Sequence, residues 1–147
     1  MVGTSIGAGD RARALRTAWI GAATVGLIAE VIGLAAALHP SGWMTFFSAD
    51  AAVIEQGSQY LRIVGPFYGF FGAGMALYFA SQGAGRLGWP LIAALVRLAI
   101  ATGGGALALR LSAGSIGVFA ALGIALAVFG LINAAAVFAG AWFRKRD

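Results

Sequence analysis

The stretch AWIGAATVGLIAEVIGLAAAL, residues 18–38, decides the fold class, because it is long, apolar and carries one ionisable residue, Glu30. A helix needs about 20 apolar residues to cross a hydrocarbon core of roughly 30 Å, and this stretch meets that length. Three further apolar stretches follow, at residues 63–80, 91–109 and 116–143. Only Arg97 places a charge within them. None shows the strict alternation of a barrel strand, so we expect an all-α, multi-pass transmembrane bundle of four helices.

The composition of the whole chain excludes most soluble proteins. Of its 147 residues, 61% are hydrophobic and 10% are charged, whereas a soluble domain is about 45–50% apolar and about 25% charged. The absence of cysteine excludes a disulfide framework, a zinc-thiolate site and a cysteine nucleophile. The one histidine, His39, lies in a loop, and no carboxylates cluster. A metal or acid–base site would have too few members, so we expect neither an enzyme nor a bound cofactor or metal.

Local signals divide the chain into helices and connections. Asp10 is placed to cap the first helix, and Ser48 or Asp50 can open the second. Pro66 lies inside the second helix, removes one backbone hydrogen bond and predicts a bend there. The predicted division is a cytoplasmic segment at 1–16, a transmembrane region at 17–143 with helices at about 17–38, 50–82, 90–110 and 115–143, and a basic cytoplasmic tail at 144–147.

The basic residues predict the orientation of the chain in the membrane. Seven of them fall on one side of the predicted spans: Arg11, Arg13, Arg16, Arg86, Arg144, Lys145 and Arg146. Only Arg62 and Arg110 fall on the other side. Because cytoplasmic loops carry the Lys/Arg excess, we expect both termini in the cytoplasm and the chain in the cell inner (plasma) membrane. The net charge of +5 therefore fits a protein whose partner is the lipid bilayer, and we expect no nucleic-acid partner.

Three polar residues within the predicted spans are candidates for a transport or coupling role. Glu30 either binds a cation or carries a proton, or else it pairs with another charge and holds helices together. Arg97 stays protonated, which favours a structural role. We expect both to face the protein interior and to pair directly or through water, although their depths differ by roughly 9 Å. Asn133 is more often an interhelical hydrogen-bond donor than a ligand contact.

Aromatic and small residues in the second span have two interpretations each. Tyr68, Phe71 and Tyr78 are candidates to line an aromatic pocket for cationic drugs, but they are equally suited to core packing or lipid contact. Gly65 and Gly69 form a small-xxx-small pair, and such pairs allow helix backbones to approach closely in lipid. We expect packing to be the role of this pair.

Four short motifs, taken in order, resemble the multidrug and toxic compound extrusion (MATE) transporters. They are VGTSIGAGDRARA at residues 2–14, FFSADAAVI at 46–54, QYLRI at 59–63 and SQGAG at 81–85. The resemblance implies helices nine to twelve of a twelve-helix transporter, the end of its C-terminal lobe. It also implies that the chain is a fragment, with the N-terminal helices of the same transporter as its partners.

The resemblance further implies a function. Such a transporter exports organic, often cationic, compounds and is driven by inward flow of H+ or Na+, so a coupling ion is expected in the full-length protein. In some family members the helix that matches residues 50–82 carries a cation-binding aspartate, and Phe71 falls at about that position here. The coupling ion is therefore not assigned by this motif.

Two alternatives stay open at the level of the sequence. One is a small four-helix multidrug exporter that works as an oligomer, but such exporters carry their membrane glutamate early in the first helix, whereas Glu30 lies late. The other is a non-transporting structural membrane subunit, which would bind neither cation nor drug.

Overall fold

The computed structural model describes residues 2–143, and the described chain is helical with no strand. Its helices are α1 (Val2–Gly7), α2 (Arg11–Leu38), α3 (Pro40–Met44), α4 (Ala51–Val64), α5 (Tyr68–Gly83), α6 (Gly88–Arg110) and α7 (Gly114–Phe138). Four helical segments are long and apolar enough to span a membrane: Arg11–Leu38, Ala51–Gly83, Gly88–Arg110 and Gly114–Phe138. The predicted all-α bundle with four membrane helices is confirmed. The basic tail predicted at 144–147 lies outside the described residues.

Two aspartates begin the first two spanning segments. The Asp10 side chain accepts a hydrogen bond from the backbone N–H of Arg13 at 2.9 Å, and the Asp50 side chain accepts one from Ala52 at 2.8 Å. Each carboxylate satisfies a backbone donor that has no partner within the first turn of its helix. The predicted capping role of Asp10 is confirmed, and of the two candidates at the second helix the cap is Asp50.

Pro66 interrupts the second spanning segment. Residues Gly65–Phe67 form a single 3-10 turn between α4 and α5, and the Tyr68 N–H donates to the Gly65 carbonyl. Proline lacks the N–H that an α-helix needs at this position, which explains why the α-helical ladder stops and restarts here. The segment from Ala51 to Gly83 has 33 residues, so it is roughly 50 Å long and exceeds the hydrocarbon core.

The observed helix ends differ from the expected ones at three places. The first long helix begins at Arg11, directly after its Asp10 cap, rather than at about residue 17. The connection after Leu38 contains the short helix α3, which has a proline in its first turn. The last helix ends at Phe138 rather than at residue 143, because Gly140 adopts a left-handed conformation, with φ of 71°, that is typical of helix C-terminal ends.

Glycines bring the helices into contact along two seams. Gly33 of α2 lies against the backbone of Gly65, and an added Cβ on Gly72 would lie 2.8 Å from Ala29 of α2. On the other side of α5, an added Cβ on Gly74 would lie 2.8 Å from the Cα of Gly130 of α7. These contacts support close packing as the role of the glycines in the second span, and they place α5 between α2 and α7.

One end of the bundle is closed by a small core. It contains Ala18, Ala22, Leu77, Ala80, Val137 and Trp142. The indole N–H of Trp142 donates to the hydroxyl of Ser81 at 3.0 Å, and the Arg11 guanidinium lies 4.9 Å from the ring centroid of Phe143. The start of α2, the end of α5 and the residues after α7 therefore lie at the same end of the bundle.

Candidate functional site

Glu30 forms a specific contact between α2 and α5. Its Oε2 accepts a hydrogen bond from the backbone N–H of Gly69 at 2.8 Å. Gly69 is the second residue of α5, where backbone N–H groups have no partner within the helix. The helix dipole also favours negative charge at such an N-terminus. The break at Pro66 thus creates the backbone donor that this carboxylate uses.

The Glu30 side chain also borders a shallow groove on the surface of α2 and α5. Apart from Glu30, the residues that line the groove are Trp19, Ala22, Ala23, Gly26, Leu27 and Ala73. No second titratable side chain is among them, and no ion pair of Glu30 is found within residues 2–143. The carboxylate is therefore half-buried, surrounded by apolar groups and held by one backbone donor.

Arg97 of α6 lies beside a contacting pair of aromatic rings from two other helices. Its guanidinium carbon is 5.4 Å from the ring centroid of Phe71 on α5 and 5.4 Å from that of Phe129 on α7. The two rings are themselves 5.8 Å apart. Aromatic faces attract a cation at such distances, more strongly where water is excluded. Arg97 thus links α6 to α5 and α7 through its side chain.

The expected pairing of Glu30 with Arg97 is not observed among the described residues. Glu30 bonds to the α5 backbone, whereas Arg97 contacts aromatic rings. Both side chains are half-buried. A backbone hydrogen bond offsets the charge of Glu30, and aromatic contacts offset that of Arg97.

Asn133 is buried in α7, with 1% of its surface exposed, but its observed hydrogen bond is not between helices. Its Nδ2 donates to the carbonyl of Phe129, four residues earlier in the same helix, at 2.9 Å. The expectation of an interhelical hydrogen bond is therefore wrong for the described contacts, because the amide turns back onto its own helix. Its Oδ1 is buried with no partner in the described part of the chain.

The three candidate aromatic residues of α5 do not form one pocket wall. Phe71 contacts Arg97 and Phe129. Tyr68 packs beside Gly33 of α2, and Tyr78 makes an edge-to-face contact with its neighbour Phe79 at 5.5 Å. Of the three, only Phe71 joins another predicted site residue.

The sequence did not reveal two partners that complete these contacts. The Gly69 N–H is a backbone group, and only the proline three residues earlier indicates that it is free. Phe129 lies in a span of mostly small and aliphatic residues, and its position opposite Phe71 depends on how α5 and α7 pack.

Comparison with known protein families gives one result that covers most of the chain. The family model MatE matches residues 1–107. Comparisons with curated proteins and with solved structures give no match. The match spans α1 to α5 and most of α6, including Glu30, the Pro66 break and Arg97. The chain therefore belongs to the MatE family, and this membership implies a multi-pass membrane transporter that exports drugs and toxic compounds.

Proposed function

We propose that the chain is part of a cation-coupled antiporter that exports organic, often cationic, compounds, with H+ or Na+ as the coupling ion. The observation that carries the proposal is the environment of Glu30. Its carboxylate lies within a spanning helix, borders a groove, and has one backbone donor and no ion-pair partner in the described chain. A carboxylate in this situation is a suitable binding group for a coupling ion.

The physical reason is the cost of a charge inside the membrane. A charged side chain at the bilayer centre costs about 2.5–3.5 kcal/mol even on the lenient insertion scale. Glu30 is eight residues before the end of α2 at Leu38, which is roughly 12 Å along the helix axis. Binding a proton or Na+ neutralises the carboxylate, weakens its attraction to the Gly69 N–H, and so links ion binding to the contact between α2 and α5.

The proposal includes the cellular setting. The chain lies in the cell inner (plasma) membrane with both termini in the cytoplasm, and the remaining helices of the transporter pack against it. The small organic cations that it exports reach the site through that complete assembly. The uneven distribution of basic residues supports this orientation.

Reporter fusions test the orientation. A cytoplasmic reporter after Asp147 is expected to be active, and the same reporter inserted after Gly42 is expected to be inactive, because two points separated by three spans lie on opposite sides of the membrane. A periplasmic reporter at the same two positions serves as the reciprocal control. Activity of one reporter at both positions would contradict the four-span orientation.

Replacing Glu30 by glutamine tests the coupling role. When the complete transporter containing this chain is reconstituted, Glu30→Gln is expected to reduce ethidium efflux at least tenfold at an equal amount of reconstituted protein. The amide preserves the size of the side chain and one oxygen acceptor for Gly69, but it can neither take up a proton nor bind Na+ with a full charge. Efflux is measured in proteoliposomes with an imposed pH gradient and, separately, with an imposed Na+ gradient.

Glu55→Gln is the matched control, because Glu55 is an exposed residue of α4 near the start of its segment. It is expected to export ethidium at the wild-type rate. If Glu30→Gln also exports at that rate and keeps its dependence on both gradients, Glu30 is structural and the coupling proposal fails.

A further inference from the structure

The Arg97 guanidinium has no anionic partner within residues 2–143. No ion pair or hydrogen bond of this group is found there, and its contacts are the two rings of Phe71 and Phe129. The described carboxylates are engaged or exposed elsewhere: Asp10 and Asp50 cap helices, Glu30 bonds to Gly69, and Glu55 is exposed. Arg97 is nine residues into α6, roughly 14 Å along the helix from Gly88. Aromatic contacts reduce the cost of this charge, but they leave its hydrogen-bond donors unused.

A cavity of about 250 Å³ lies beside Arg97, between α4, α6 and α7. The polar side chains in its wall are those of Arg97 and Tyr60, and the rest of the wall is aliphatic. The aliphatic residues are Val64, Leu98, Ala101, Leu122, Ala125 and Leu126. The Tyr60 ring is held by an edge-to-face contact with Phe119 of α7, at 5.5 Å between centroids. The cavity wall thus contains one cationic side chain, one tyrosine and six aliphatic residues.

This combination selects ligands by charge. A guanidinium presents planar pairs of donors that match the two oxygens of a carboxylate, and a tyrosine hydroxyl can add a further donor. An organic cation would meet a like charge in an apolar environment, which is strongly unfavourable. Sites for drug-sized ligands measure roughly 300–1,000 Å³, so a volume of about 250 Å³ suits a ligand with a single ring or a short chain.

We propose that the Arg97 cavity is a binding site for a small organic carboxylate. The carboxylate lies against the guanidinium, and the ring or chain of the ligand lies against the aliphatic wall. The site goes beyond the proposed export of organic cations, because it accepts the opposite charge and does not involve Glu30. It gives the transporter a place for anionic or zwitterionic compounds between α6 and the rest of the bundle.

Direct binding to the purified full chain tests the proposal. The chain is reconstituted in phosphatidylcholine nanodiscs, and titration calorimetry at neutral pH compares benzoate with benzylammonium, after subtraction of empty nanodiscs. Benzoate is expected to bind at least tenfold more tightly than benzylammonium. Arg97→Gln is expected to raise the Kd for benzoate at least tenfold, and Arg97→Lys is expected to have an intermediate effect, because the ammonium keeps the charge but loses the planar donor pair.

Two further variants separate ligand binding from a structural role of Arg97. Arg110→Gln, an exposed charge at the end of the same helix, is expected to leave the Kd unchanged. Ala101→Leu reduces the cavity while keeping the guanidinium, and it is expected to raise the Kd at least fivefold. The Ala101 variant keeps the test valid if Arg97→Gln fails to fold.

Three results would overturn the proposal: no benzoate binding, equal affinity for benzoate and benzylammonium, or an unchanged Kd in both Arg97→Gln and Ala101→Leu. A lipid headgroup is a second source of anionic oxygen, so the titration is repeated in nanodiscs that contain phosphatidylglycerol. Loss of benzoate binding there would assign the cavity to lipid instead. Because the readout is binding rather than export, failure here leaves the Glu30 coupling experiment unaffected.

Discussion

Replacing Gly33 by alanine is expected to lower the free energy of unfolding by about 3 kcal/mol. This value is the upper end of the usual cost of overpacking, which is about 1–3 kcal/mol. The added Cβ on Gly33 would collide with the carbonyl oxygen of Gly65, and an added Cβ on Gly65 would lie 2.5 Å from the carbonyl oxygen of Gly33. Both obstacles are backbone atoms, so no side-chain rotation relieves the collision. Helix α2 and the 3-10 turn at Gly65–Phe67 must move apart instead.

Gly21→Ala is the control on the same helix, because a Cβ at Gly21 has nothing within 4 Å. This substitution is expected to raise stability by about 0.5–1 kcal/mol, since alanine loses less backbone entropy in a helix than glycine does. Unfolding of both variants is followed by circular dichroism in mixed detergent micelles with increasing dodecyl sulfate. Equal midpoints for the two variants would mean that the glycine seam does not determine the packing of α2 on α5.

The parts of the fold that sequence reasoning predicted are those with local causes. Each long helix depends on about 20 apolar residues in succession, and the caps at Asp10 and Asp50 depend on residues two or three positions away. The break at Pro66 follows from a missing N–H within the same turn. The end of α7 at Phe138 also has a local cause, the left-handed Gly140, but the apolar residues after it concealed that signal.

The contacts that sequence reasoning did not predict join residues that are distant in the chain. The hydrogen bond from Trp142 to Ser81 spans 61 residues, and the one from Gly69 to Glu30 spans 39. Arg97 meets Phe71 and Phe129 only because α6 packs beside α7 while α7 packs beside α5. The depth of a charge can be counted along a helix, but the direction in which it faces depends on the rotation of each helix. This is why the sequence identifies polar and aromatic candidates within the spans but not the residues that they contact.

Disrupting the contact between Glu30 and Gly69 is expected to have the second large effect, a loss of efflux. Gly69→Ala would place a Cβ 2.5 Å from Oε2 of Glu30 and 2.9 Å from its Cβ, so the carboxylate must move away from the α5 N–H. A hydrogen bond to a charged group is worth about 1.5–3 kcal/mol, which corresponds to roughly a 10- to 100-fold change in an equilibrium constant. We therefore expect Gly69→Ala to reduce ethidium efflux per folded complete transporter at least tenfold.

Gly72→Ala separates this effect from simple crowding. Gly72 lies one turn further along α5 and also faces α2, but the atoms nearest to an added Cβ would belong to Ala29, at 2.8 Å, and to the Val25 carbonyl, at 3.0 Å, rather than to Glu30. Gly72→Ala is expected to lower the amount of folded protein while leaving efflux per folded transporter near the wild-type rate. In the double variant, Gly69→Ala should cause no further loss in the Glu30→Gln background, because Glu30→Gln already removes the charge that Gly69→Ala would displace from the α5 N–H. If the two losses multiply instead, or if Gly72→Ala reduces efflux per folded transporter as much as Gly69→Ala, the contact between Glu30 and α5 only packs the helices and has no part in coupling.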